Sequence, residues 1–137
     1  MQTGFIATTE PDRARARALA QALELLGLEV PCPWWDASVA PEDSAAWERQ
    51  GILDALGVLA ADLVLCFNDD RVLVETPGKG GRHTELGIAL ARKKRIVLIG
   101  RRTQLSHSLR EVACVPDVPA LFVWIQDQQY RAWAEAA

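Results

Sequence analysis

The chain reads as an α/β protein: an open parallel sheet of about five strands with helices on both faces. Three observations predict this class. Short apolar runs alternate along the chain with longer amphipathic stretches, as βαβ units require. One run, Asp62-Leu63-Val64-Leu65-Cys66-Phe67, is apolar enough to be buried on both faces, as a central parallel strand must be. Turn-forming residues follow the apolar runs and precede the helical patterns.

Taken in order, Gly4-Phe5-Ile6-Ala7 is the first strand. From Asp12 to Leu26 a helix is expected, because Ala16, Leu19, Ala20, Leu23 and Leu26 share one face and Gly27 can close it; Arg13, Arg15 and Arg17 then face mostly solvent. Leu28-Glu29-Val30 is a brief second strand, ended by Pro31 and Pro33, and Trp34-Trp35-Asp36 follow. A second helix from Pro41 to Ala60 is expected to bury Trp47, Ile52, Leu56 and Leu59. The third strand stops at Asn68-Asp69-Asp70. A glycine-rich loop, Pro77 to Gly81, runs into a helix from about Arg82 to Arg92, and Arg95-Ile96-Val97-Leu98-Ile99-Gly100 is the fourth strand. Either Val112 to Val115 or Leu121 to Val123 supplies a fifth, and Asp127 to Ala136 is a closing helix with Tyr130 and Trp133 inward. With neither a repeat nor a linker, residues 1–137 read as one domain.

Composition narrows the function. Fifteen basic residues against 18 acidic ones give a net charge of −3, and the basic residues are scattered, so no nucleic-acid partner is expected. Cys32, Cys66 and Cys114 are odd in number and far apart, without a C-x-x-C pair or a histidine cluster. They support neither a disulfide framework nor a zinc site and fit a reducing cytoplasm. No stretch reaches the roughly 18 apolar residues of a membrane span, and the start lacks a signal-peptide pattern. A soluble, cytoplasmic protein with no membrane partner is expected.

In an open parallel sheet, ligands bind beyond the carboxyl ends of the strands. Four segments meet there: Ala7-Thr8-Thr9, Trp34-Trp35-Asp36, Asn68-Asp69-Asp70, and the glycine loop leading to Glu85. The glycines allow backbone N–H groups to approach a ligand, and a helix start attracts anions; Glu85, read as a first-turn acid, would be kept ionised by the same field and therefore nucleophilic. Competing motifs fail on their letters. A dinucleotide fingerprint needs glycine where His83 stands, a P-loop needs Ser or Thr after Lys79 where Gly80 stands, and there is no G-x-S-x-G elbow. The same residues also have ordinary uses: Glu85 can complement a helix dipole, Asp69 and Asp70 can form a turn, and tryptophans can simply fill a core.

Asp62-Leu-Val-Leu followed by Asp69, the segment Gly80-Gly81-Arg82-His83-Thr84-Glu85-Leu86-Gly87-Ile88-Ala89, and the strand Arg95 to Gly100 resemble the nucleoside 2-deoxyribosyltransferase family, including the deoxynucleoside 5′-monophosphate N-glycosidases. The similarity spans residues 4 to 100. It implies a flavodoxin-like fold, homo-oligomers, no cofactor or metal, and a nucleoside or nucleotide substrate. The helix glutamate, here Glu85, would form a covalent deoxyribosyl intermediate. Asp69 or Asp70 would protonate or orient the base, and Trp34 or Trp35 would cover it. Thr8, Thr9, Asp36, Lys79, Gly80, Gly81, Arg82 and His83 complete the expected substrate-binding set.

Members that transfer deoxyribose often carry an aspartate at the position of Lys79, six residues before the glutamate. Lys79 and Arg82 suit a phosphate-bearing substrate instead. The box P-G-G-x-G-T-x-x-E of cytokinin-activating phosphoribohydrolases is a weaker likeness, matched at Pro77, Gly78, Gly81 and Glu85. The expected reaction is cleavage of the N-glycosidic bond of a (deoxy)nucleoside or its 5′-monophosphate, with the sugar passed to a base or to water. A phosphoribohydrolase-like activity, a nucleotide sensor without catalysis and a TIR-like enzyme that cleaves NAD are the alternatives.

Overall fold

The computed structural model describes residues 2–75 and 81–136. Four strands, β1 (Gly4–Ala7), β2 (Leu63–Asn68), β3 (Arg95–Gly100) and β4 (Val112–Val115), form one sheet in the order β1-β2-β3-β4, with every pair parallel. The expected second strand at Leu28 to Val30 is reduced to a single parallel bridge, Thr3 to Glu29, held where Gly4 N–H donates to the Glu29 carbonyl at 2.7 Å. Counting that segment as the second strand in chain order gives 2-1-3-4-5, the flavodoxin-like arrangement. Of the two candidates for the last strand, Val112 to Val115 is the one that forms. Leu121 to Val123 lies inside a helix.

The helices are α1 (Arg13–Leu25), α2 (Ser44–Ala60), α3 (Gly81–Ala91) and α4 (Val118–Ala136). Alternation along the strands divides the core. Ile6, Leu63, Leu65, Phe67, Val97 and Ile99 meet Ala16, Leu19 and Leu23 of α1 and Leu121 and Ile125 of α4. Phe5, Ala7, Val64, Cys66, Ile96 and Leu98 point the other way, toward Val58 of α2 and Leu86 and Ala89 of α3. Both faces of β2 and β3 are thus closed, which explains their unbroken apolar runs.

Two elements depart from the sequence expectation. On α2 the only fully buried residue is Val58, while Trp47, Ile52, Leu53 and Leu56 are 47%, 53%, 55% and 54% exposed and Leu59 is exposed as well. The helix meets the body along Asp54, Gly57 and Val58, and its Leu59 carbonyl accepts from Lys94 Nζ at 2.6 Å. At Gly57 an added Cβ would sit 2.8 Å from Cys32 Cβ and 3.0 Å from Phe5, so only a residue without a side chain allows that approach. The apolar pattern expected to face the core therefore faces out. On α4, which begins at Val118 rather than Asp127, Tyr130 and Trp133 lie outward and stack on each other at 5.9 Å between ring centroids. The buried residues of α4 are Leu121 and Ile125, in its first half, so the aromatic pair of the second half does not enter the core.

Candidate active site

The carboxyl ends of β1 and β2 and the start of α3 bring most of the expected residues to one end of the sheet. Helix α3 begins at Gly81, so Glu85 lies in the second turn and not in the first. A field that fades within one turn no longer holds it ionised. The opposite holds: burial, and then the Asp54 carboxylate on α2, push the Glu85 carboxyl up to about 8. The expectation of a permanently ionised Glu85 is corrected, because the group is mostly protonated at neutral pH.

Asp54 belongs to this site, although nothing in its sequence context singled it out. It is half-buried, receives a hydrogen bond from Gln50 Nε2 at 2.7 Å and faces the Cys32 thiol at 3.9 Å; burial raises its own carboxyl too. Burial, Asp54 and Glu85 together push the Cys32 thiol up to about 11, and burial takes Cys66 beneath α3 to about 12, against the pull of Arg82. Both thiols are therefore neutral and poorly suited to attack.

Asp69 occupies a different setting. Its carboxylate is gripped by both terminal nitrogens of Arg15, with the second contact at 3.1 Å, and Oδ1 also accepts from Val72 N–H at 3.3 Å. Burial pulls the Asp69 carboxyl upward, but the Arg15 bonds outweigh it and hold it below the usual range. Arg15 stacks 3.9 Å over the Phe67 ring and also binds Asp12, whose Oδ2 accepts from Thr8 Oγ1 at 3.0 Å. Asp69 is thus a fixed anion, able to accept a hydrogen bond from a base or a sugar. Asp70 is exposed and pairs with Arg101 at 2.9 Å, and Asp36 is exposed and pairs with Arg17.

The other expected residues separate by burial. Trp35 is buried against α1 and meets Trp34 edge-on at 5.8 Å, so it fills the core and presents no face to a base. Trp34 is partly exposed, with Nε1 donating to the Ile6 carbonyl at 2.7 Å beside the end of β1. Thr9 is buried with its hydroxyl unpartnered, Arg82 is buried under the start of α3, and His83 lies 3.3 Å from the Gln104 amide. Gly81 opens α3 and is exposed. Lys79 and Gly80 lie outside the described residues. Sequence reasoning set Arg15 on a solvent face and gave Asp12 no site role; the Asp69 partner of Arg15 lies 54 residues away. Among the described residues there is no His, Cys, Asp or Glu cluster able to hold a metal ion, and no helix long and apolar enough to cross a membrane.

No protein-family model matches the chain, and neither does any curated protein. Among solved structures, the chain is similar to the CMP N-glycosidase BcmB of Clostridium botulinum, with a TM-score of 0.59 and 24% identity over 83% of this chain and 87% of that one. At that identity the likeness establishes the fold alone, a flavodoxin-like parallel α/β sheet.

Proposed function

We propose that the protein cleaves the N-glycosidic bond of a (deoxy)nucleoside or its 5′-monophosphate, with Glu85 attacking the anomeric carbon. The observation that carries this reading is the setting of Glu85: a partly buried carboxyl beside a second carboxyl, Asp54, in a fold similar to that of a nucleotide N-glycosidase. The motif likeness around Glu85 to nucleoside 2-deoxyribosyltransferases agrees with it.

Each step balances. The C–N bond breaks with its electron pair leaving on the base, which takes up a proton from water, and positive charge develops on the sugar ring. Glu85 releases its proton to solvent as the substrate binds, and the resulting carboxylate closes an ester with the anomeric carbon as the C–N bond breaks. Water or a second base then displaces the glutamate. A carboxyl poised near 8 can hold a proton in the empty site and release it when a cationic transition state approaches. Asp69, held as an anion by Arg15, orients the base, and Trp34 lies over the end of β1 where the ligand enters. The substrate is a small molecule, the reaction takes place in the cytoplasm, and the chain works as a homo-oligomer whose second copy covers the apolar side of α2.

The test is a chromatographic screen of purified protein against deoxynucleosides, ribonucleosides, their 5′-monophosphates and NAD, with and without a free acceptor base. Base release from a nucleoside or nucleotide, lost by at least about 10³-fold in Glu85→Ala with folding intact, is the expected result. Equal activity in the variant removes Glu85 from the mechanism. Release of nicotinamide alone transfers the protein to NAD cleavage, and tight nucleotide binding without any released base makes it a sensor.

A further inference from the structure

Around Asn68, the last residue of β2, and linked to it by hydrogen bonds, two buried donors are left without acceptors. Arg82 is 7% exposed; its NH2 reaches Asn68 Oδ1 at 3.3 Å, and its Nε has no partner. Among the described residues no acidic side chain pairs with it. Asn68, fully buried, donates through Nδ2 to Thr103 Oγ1 at 2.9 Å and to the Arg101 carbonyl at 2.6 Å. Thr103 N–H in turn donates to His107 Nδ1 at 3.1 Å, which places the ring proton on Nε2. That Nε2, on a side chain with no exposed surface, is the second donor without a partner.

A chain of three hydrogen bonds, Arg82 to Asn68 to Thr103 to His107, thus fixes two orphan N–H groups in one frame. Burial, and then the charges of His83, Arg82 and Arg102, keep His107 neutral, so Arg82 supplies the positive charge and His107 a neutral donor. A buried guanidinium without a counter-ion is costly, which points to a counter-ion from outside the chain. A carboxylate prefers both prongs of one guanidinium, and here NH2 is already spent on Asn68. Single donors from two directions suit a group with several acceptor oxygens.

We infer that Arg82 Nε and His107 Nε2 hold a phosphomonoester, the 5′-phosphate of the substrate, one helical turn from Glu85. This rests on the nucleotide reading above, while the anion site itself does not need it. The residues that form the frame come from β2, α3 and the segment after β3, so the site is built before any ligand arrives.

Calorimetric titration of Glu85→Gln protein, which cannot turn over, with cytidine 5′-monophosphate, cytidine and inorganic phosphate tests this. The comparison variants are His107→Asn, whose amide oxygen still accepts from Thr103 N–H while the Nε2 proton is lost, and Arg82→Lys, which keeps charge and loses Nε. Affinity for the monophosphate and for free phosphate is expected to fall at least about tenfold in each, with cytidine binding unchanged. Equal losses for cytidine and its monophosphate, or no loss in His107→Asn, overturn the assignment. Loss confined to free phosphate overturns its role in the substrate. Should the wild-type protein release no base while phosphate binding still depends on His107, the cleavage reading fails and the anion site stands.

Discussion

Glu85 and Asp69 are carboxylates at the same end of one sheet, yet the structure drives them in opposite directions. On the α3 face Glu85 has burial and a second acid for company and holds its proton to about 8, whereas on the α1 face Asp69 is clamped by Arg15 and stays ionised below the usual range. Residue type therefore says little about protonation, and the helix that supplies the neighbour decides it. Two acids with separated proton affinities can divide the work, one losing its proton to attack the sugar and the other holding a hydrogen bond through the reaction.

The largest effect that would break this contrast comes from removing the clamp. Arg15→Gln leaves Asp12 and Asp69 facing each other without their cation and should cost about 2 kcal/mol of stability at pH 7. The sign follows from the lowered affinity of Asp69 for protons: the stability it contributes is complete above its unfolded value of 3.8 and is lost as pH falls through the lower folded value. The difference between wild type and Arg15→Gln in thermal melting should therefore shrink on acidification to pH 3. An unchanged difference would place the role of Arg15 elsewhere.

A smaller effect sharpens the other side. Asp54→Asn removes the negative neighbour of Glu85, so the Glu85 carboxyl should ionise at lower pH while burial, the larger cause, remains. If the ionised form attacks, base release by the wild type rises with pH up to about 8, and the variant should reach its plateau earlier. A pH–rate profile of kcat/KM checks this, and an identical limb in the variant would show that Asp54 does not act on the reacting group. The smallest effect belongs to Asp70→Asn. Its ion pair with Arg101 is exposed at both ends, so melting should change by less than about 0.5 kcal/mol and activity should stay within about twofold.

Much of the fold was legible because strand burial leaves a local trace. The unbroken apolar run of β2 and the glycine closing α1 are properties of adjacent residues. The setting of Glu85 was not legible for two reasons. One residue of uncertainty in the start of α3 moves the side chain out of the reach of the helix end, and its partner Asp54 arrives from another helix. Arg15 and Asp69 are 54 residues apart, and nothing in the local pattern of either points to the other. The outward face of α2 was misread because spacing reveals that a face is apolar without revealing what covers it. Ile52, Leu56 and Leu59 fit a core or a partner equally well.

That face has a consequence for motion. A helix of 17 residues with a single fully buried side chain packs less than β2 and β3, which are closed on both faces, so its amides should exchange with solvent hydrogen ahead of theirs. Because α2 also carries Asp54, each opening withdraws the second of the two causes, after burial, that raise the Glu85 carboxyl. Fluctuations of this one helix would then tune how readily the reactive acid gives up its proton, and anything that settles on the apolar side of α2 would slow them.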